Sequence, residues 1–115
     1  MGFKEIQPAE LEIRPFFALD REWALVSAGR EGEMNTMTVS WGSMGTIWGK
    51  PTVTAYIRDS RYTKGFVDKE DTFTLSFFGK EYKETLAYLG KASGRNEDKV
   101  KKSGLTPTFE YGEKR

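Results

Sequence analysis

Hydrophobic and polar residues alternate along several short stretches of this chain, which is the pattern of β-strands with one buried face. Four stretches show this alternation or a β-branched run: residues 22–28, 34–41, 52–58 and 72–78. The last is the most regular, because Phe73, Leu75 and Phe77 fall on one side of it. The polar, glycine-rich residues 29–33 predict a hairpin turn between the first two strands.

Helical spacing appears in the second half of the chain. Residues 80–89 carry Tyr82, Leu86 and Leu89 at intervals of three or four, which predicts a helix with one apolar face. Gly90 follows directly and is expected to end that helix, because glycine is the commonest residue just beyond a helix C-terminus.

Two shorter helices are predicted from capping signals, over residues 61–69 and over residues 97–102. Side-chain oxygens of Ser, Asp and Asn accept hydrogen bonds from the free N–H groups of a first turn. The predicted caps are Asp59 or Ser60 for the first helix and Asn96 for the second, with Gly104 closing the second.

The strands are short, and no long crossover helix separates them. Residues 42–51 contain three glycines and a proline, which predicts a loop, and residues 107–111 could begin a final strand. Four or five strands with small helices favour a mainly β fold, a small antiparallel barrel, over a doubly wound sheet. The length of 115 residues predicts a single domain, residues 1–115.

Charge and hydropathy narrow the possible partners. The 18 basic and 17 acidic residues give a net charge of +1, so no general attraction to nucleic acid or an anionic membrane is expected. Apolar stretches are too short for a transmembrane helix or a secretory signal, which favours a soluble, cytoplasmic protein.

The chain contains no Cys and no His. Disulfides, thiolate nucleophiles and Ser/His/Asp catalysis are therefore excluded, and no metal site is expected. The candidate acids on helices lack the apolar surroundings that would raise a carboxyl pKa: Glu81, Glu84, Glu97 and Asp98. No catalytic side chain is predicted, so an enzyme of this composition needs carboxylates or a cofactor.

Residues 58–63, Arg-Asp-Ser-Arg-Tyr-Thr, combine two guanidinium groups and two aliphatic hydroxyls at the end of a predicted strand. With the N–H groups of the following helix, Ser60, Arg61 and Thr63 could hold a phosphate. The alternative is an ordinary Ser cap, with Arg58 and Arg61 solvated or paired to nearby aspartates. Spacing alone leaves both interpretations open.

Three further segments have two interpretations each. Backbone groups of residues 35–41 could meet the edge of a planar heterocycle, or that strand face could be solvated. Trp41 and Trp48 could cover a flat ligand or a partner subunit, or plug the end of a barrel. Arg95 and Lys99 could add to an anion site, or residues 93–99 could be a solvated, capped helix.

Five motifs in order resemble the flavin reductase-like, FMN-binding split-barrel proteins, particularly the flavoredoxin-type branch. They are Asn35-Thr-Met-Thr-Val-Ser-Trp41, Trp48-Gly-Lys-Pro51, Arg58-Asp-Ser-Arg-Tyr-Thr63, Phe73-Thr-Leu-Ser-Phe-Phe78 and Ser93-Gly-Arg-Asn-Glu-Asp-Lys99. The resemblance runs from about Trp23 to Pro107. It implies a split β-barrel homodimer with FMN near the subunit interface.

The resemblance also implies which residues approach the cofactor. The ring side would be lined, largely through backbone, by Asn35, Thr36, Met37, Thr38, Val39 and Ser40. The phosphate motif corresponds to Arg58, Ser60, Arg61, Tyr62 and Thr63. A second segment near the cofactor corresponds to Ser93, Gly94, Arg95 and Lys99. Trp48 would lie near the ring or the dimer seam.

The activity implied is hydride transfer from NADH or NADPH to FMN, and then electron transfer to free flavin, iron or another redox protein. The flavin itself would be the reactive group. The alternatives are an FMN-binding protein without turnover and a small nucleic-acid-binding barrel, which the near-neutral charge disfavours. Family members continue past residues 104–107, so we expect a shortened barrel, barrels completed between subunits, or a fragment.

Overall fold

A computed structural model describes residues 4–109 of the chain. Within this range, five strands form two antiparallel sheets. The larger sheet has the order β2-β1-β5 and contains β1 (Ala24–Arg30), β2 (Glu33–Val39) and β5 (Thr74–Phe77). The smaller is a hairpin of β3 (Gly42–Ile47) and β4 (Lys50–Ala55).

The helices of the described residues are short. They are α1 (Pro15–Phe17), α2 (Tyr62–Lys69), α3 (Lys83–Lys91) and α4 (Lys99–Ser103). Single turns of other helical type cover Pro8–Glu10, Ala18–Glu22 and Lys80–Tyr82. None of the helices within residues 4–109 is long and apolar enough to span a membrane.

Strand β1 is buried on both faces because helices cover the sheet on each side. Its residues Ala24 and Val26 pack with Met37 and Val39 of β2, and Val67 of α2 lies against this cluster. Since side chains alternate along a strand, the next residue points the opposite way. Leu25 accordingly belongs to a second cluster with Leu86 and Leu89 of α3. The start of α2 and the end of α3 are thereby held beside β2.

Residues 42–51 are a β-hairpin, so the predicted loop is wrong. Met44 pairs with Val53 and Gly45 with Thr52, and Trp48 and Gly49 form the connecting turn. Both turn residues have positive φ, 54° and 71°, which is the geometry of a type I′ turn. The glycines lie in a largely exposed hairpin, where the lack of a side chain costs little packing.

Gly90 does not end α3, which continues to Lys91. A Cβ at position 90 would lie only 3.2 Å from the Cβ of Thr38 on β2. The glycine therefore allows the helix to approach the sheet closely, a packing role that local sequence does not reveal.

The other predicted boundaries are partly confirmed. Strands β1, β2 and β5 and helix α2 lie where predicted to within a few residues, and the β1–β2 turn is present. Strand β2 ends at Val39, two residues before the predicted end, and Trp41 beyond it is 57% exposed. Asp98, not Asn96, caps α4, with Gly104 ending it in the left-handed region as predicted. Of residues 107–111, the first three are not strand and the last two lie outside the described residues.

Candidate functional site

Two segments that are distant in sequence share one polar cavity of about 200 Å³. The segment before and at the start of α2 contributes Ser60, Arg61, Tyr62 and Thr63. The connection from α3 to α4 contributes Ser93, Arg95 and Lys99, together with Lys91. All four charged side chains that line the cavity in the described part of the chain are basic, although the whole chain is nearly neutral.

Among the described residues, no side chain caps the start of α2. The N-cap position is Arg61, in extended conformation, and it provides no side-chain hydrogen bond to the first turn. The predicted cap by Asp59 or Ser60 is therefore wrong, because the helix begins one residue later than that cap requires. The N–H groups of an uncapped first turn carry partial positive charge and favour an anion.

The aspartates next to this segment are paired with a lysine. Lys64 Nζ lies 2.7 Å from Asp68 Oδ2 and 3.8 Å from Asp59 Oδ1. The hydrogen bond from Lys64 to Asp68 raises the pKa of the lysine. These contacts differ from the predicted alternative, in which the same aspartates neutralise Arg58 and Arg61.

The last carbonyl groups of α3 hold two of the cations at the cavity. Arg61 Nη2 donates to the Gly90 carbonyl over 3.1 Å. Lys99 Nζ donates to the carbonyls of Leu89 and Ala92, each over 3.0 Å. The C-terminal end of a helix carries partial negative charge, so cations are favoured there. Helix α3 therefore positions both side chains before any ligand arrives.

Lys99 is only 2% exposed. Burial, reinforced by the nearby Arg61, lowers the pKa of Lys99 to about 8, against a smaller opposite effect of Glu97. A buried amine is destabilised in its charged form because it loses hydration. The cavity thus contains an amine that is close to titrating at physiological pH.

Asn35 connects strand β2 to the start of α2. Its Nδ2 donates to Thr63 Oγ1 over 2.9 Å, and both side chains are buried. Gly94 lies on the other side of the same amide, where an added Cβ would be 2.8 Å from Asn35 Cγ and would overlap Oδ1. Three predicted residues from separate motifs therefore meet in one tightly packed contact.

Comparison with known proteins identifies the family. The sequence model described as "Flavin reductase like domain" matches residues 17–114. The chain belongs to the flavin reductase-like domain family. A comparison with curated proteins finds no match.

Two solved structures are similar to this family member. Flavoredoxin of Desulfovibrio vulgaris (Miyazaki F) is 28% identical with a TM-score of 0.64, over 74% of this chain and 46% of its own. An FMN-binding domain of a flavin reductases-like enzyme from Shewanella baltica OS155 is 19% identical with a TM-score of 0.71, over 86% of this chain and 52% of its own. This chain spans about half the length of each. The predicted flavin reductase-like fold, mainly β with short helices and of the split-barrel type, is confirmed.

The remaining predicted residues of β2 use their side chains for packing. Thr36 Oγ1 donates to the Val26 carbonyl over 3.0 Å, and Thr38 donates to the Leu86 carbonyl. Met37 and Val39 are in the core, and Ser40 lies just past the end of the strand. Because β2 is an edge strand of its sheet, alternate backbone N–H and C=O groups point away from β1. In this family member, the outward backbone groups of residues 36–39 can contact a ligand.

Like the predicted residues of β2 and Gly94, Arg58 and Trp48 do not line the cavity. Arg58 Cζ is 4.9 Å from the ring centroid of Trp41, so its guanidinium covers an exposed indole. Trp48 is at the tip of the β3–β4 hairpin and is 93% exposed.

Sequence reasoning missed Lys91 and Asn96, which also line the cavity. The error at Lys91 follows from ending α3 at Gly90. The sequence did contain a signal for Lys91, because basic residues are favoured in the last turn of a helix, where they complement the helix dipole.

Proposed function

We propose that this chain binds FMN with the phosphate in the basic cavity, and moves hydride or electrons from NAD(P)H through that FMN to an acceptor. The observation that carries the proposal is the cavity lining, in which four basic side chains surround an uncapped helix start. Phosphate monoesters carry close to two negative charges at neutral pH and favour such donor sets.

The residues of the cavity offer several kinds of hydrogen-bond donor to a phosphate group. Arg61 offers a planar set of N–H donors, of which one already bonds the Gly90 carbonyl. The uncapped first turn of α2 offers backbone N–H groups, and Ser60 and Ser93 offer hydroxyls. Lys99 supplies an ammonium fixed by two carbonyls. These donors match the three acceptor oxygens of a phosphate group.

Strand β2 is the proposed neighbour of the isoalloxazine ring. The hydrogen bond between Asn35 and Thr63 ties this strand to the phosphate side. Its outward backbone groups could pair with the ring's polar edge, as edge-strand groups pair with other partners. When bound, FMN would supply hydride and electron transfer, a chemistry that needs no His or Cys from the protein.

Flavin binding is tested by reconstitution. The purified protein should quench FMN fluorescence to saturation at one FMN per chain, and should bind riboflavin, which lacks the phosphate, at least tenfold more weakly. Equal affinity for the two flavins would contradict the phosphate assignment. Oxidation of NADH or NADPH by the reconstituted protein, with free flavin or ferric iron as acceptor, then separates an oxidoreductase from an FMN-binding protein without turnover.

We also propose a homodimer with FMN near its interface. Large apolar side chains are exposed on and beside the β3–β4 hairpin: Trp41, Ile47, Trp48, Val53 and Tyr56. Exposed large apolar side chains concentrated on one hairpin favour an interaction site there. Arg58 stacks on Trp41, so this surface adjoins the segment that leads into the cavity.

Sedimentation at micromolar concentration should give the mass of two chains. Trp48→Ser should shift the equilibrium towards monomer, whereas Phe16→Ser, at an equally exposed aromatic in α1, should leave it unchanged. A wild-type monomer that binds FMN tightly would contradict the dimer.

A further inference from the structure

Lys99 differs from the other cations of the cavity because its amine is almost fully buried. Two of the three donors of its ammonium form would be used by the carbonyls of Leu89 and Ala92. The third has no acceptor among the described residues, and Lys99 is part of the cavity lining. The lysine is thus built into the wall of the site at a fixed position.

Burial, and after it the charge of Arg61, disfavours the protonated form of Lys99 while the cavity holds no anion, and this outweighs the carbonyls at the end of α3. Arg61 faces it from the start of α2, and Lys91 of α3 and Arg95 of the α3–α4 connection line the same cavity. Glu97 acts in the opposite direction. The carboxylate of Glu97, however, accepts a hydrogen bond from Tyr88 of α3 and lies 3.9 Å from Lys102 Nζ of α4, so it is shared with other groups. Asp98 uses its carboxylate to cap α4.

We propose that Lys99 takes up a proton from solvent when a phosphate group enters this cavity, and that it thereby makes the preference for phosphorylated flavin depend on pH. The proposal rests on the function proposed above and adds a charge switch to that site. The neutral amine becomes an ammonium, and no other bond is made or broken. A phosphate dianion at the cavity would offset both the burial and the repulsion from Arg61.

Because proton binding to Lys99 and FMN binding are thermodynamically linked, the pKa of Lys99 sets the direction in which FMN affinity changes with pH. The pKa of Lys99 is about 8 in the free protein, and a bound dianion must raise it if it binds the protonated form more tightly. FMN affinity should therefore be highest below pH 8. It should fall above pH 8, with a limiting slope of ~10-fold per pH unit, until the pKa of the bound form is reached.

The experiment compares FMN with riboflavin between pH 7.5 and 9.5. Phosphate monoesters have a second pKa of about 6, so FMN remains a dianion throughout this window. We expect the FMN dissociation constant to rise by roughly tenfold between pH 8 and 9.5 and the riboflavin constant to stay flat. At pH 8.5, calorimetric titration of FMN in two buffers of different ionisation enthalpy should show uptake of a substantial fraction of a proton.

Two variants assign the effect to Lys99. Lys99→Arg stays charged across the window, so its FMN affinity should lose the pH slope. Lys102→Arg, on the exposed side of the same helix, should keep it. If Lys99→Arg does not fold, the wild-type calorimetry decides.

Three results would overturn the proposal. The first is FMN affinity that does not change with pH, with no buffer dependence of the enthalpy. The second is a slope that persists in Lys99→Arg. The third, failure to bind FMN at every pH, would overturn the proposed function and this proposal with it.

Discussion

Arg61→Ala is expected to weaken FMN binding by about 10- to 150-fold. A hydrogen bond to a charged group is typically worth about 1.5–3 kcal/mol, which corresponds to that range of dissociation constants. Arg61 is half-buried, its guanidinium is oriented by the Gly90 carbonyl, and it lines the cavity beside the start of α2. Alanine would remove a cation from the site and the contact that ties the start of α2 to the end of α3.

Fluorescence-quenching titration measures this effect, and an arginine elsewhere provides the control. Arg21 is exposed and paired with Asp20, away from the cavity, so Arg21→Ala should leave FMN affinity unchanged within twofold. Riboflavin binding should respond little to Arg61→Ala, because riboflavin has no phosphate. Unchanged FMN affinity in Arg61→Ala would refute the assignment of the phosphate to this cavity.

Gly94→Ala is expected to lower the free energy of unfolding by about 1–3 kcal/mol and to weaken FMN binding. The new Cβ would overlap the Asn35 amide, which is buried and bonded to Thr63 over 2.9 Å. The overlap can be removed only if the Asn35 amide moves, which would break its hydrogen bond to Thr63. Leaving a buried hydrogen-bonding group without its partner typically costs about 1–3 kcal/mol. The same movement would loosen β2 from the first turn of α2, where both halves of the proposed flavin site meet.

Urea denaturation measures the free energy of unfolding of Gly94→Ala and of Gly45→Ala, which serves as the control. Apart from its chain neighbours, no atom of residues 4–109 lies within 4 Å of a Cβ added at Gly45, so that substitution should change the stability by less than about 0.5 kcal/mol. In an Asn35→Ala background, the additional cost of Gly94→Ala should shrink, since the overlapping group is gone. An undiminished cost there would mean that Asn35 is not the cause.

Several features of the fold were predictable from local pattern. Strand β1, the β1–β2 turn, β5 and the apolar face of α3 each follow from periodicity and turn residues that lie within one short segment. The order of the five motifs was also sufficient to predict the family, because the order of motifs along a chain is a property of sequence alone. The same motifs supplied Asn35, Thr63, Gly94 and Lys99 as candidate cofactor residues, and that choice stays a prediction.

Other features depend on which segments pack together. Local sequence predicts that Gly90 ends the helix, but it lies within α3, where Thr38 of β2 leaves little room for a side chain. Ser60 reads as a helix cap, but α2 begins after Arg61 and has no side-chain cap. For Gly90, the close contact with β2 gives the glycine a packing role that sequence spacing does not contain.

The cavity shows most clearly which features local sequence determines and which depend on tertiary packing. Local sequence was sufficient to select residues 58–63 and 93–99 as candidate anion sites, because clustered Arg, Ser and Lys carry that signal within a few positions. That they form one site follows from β1, which is buried on both faces and so holds α2 and α3 beside β2. The burial of Lys99 and its lowered pKa arise only there, because desolvation and the charge of Arg61 depend on distances between segments that are far apart in the chain.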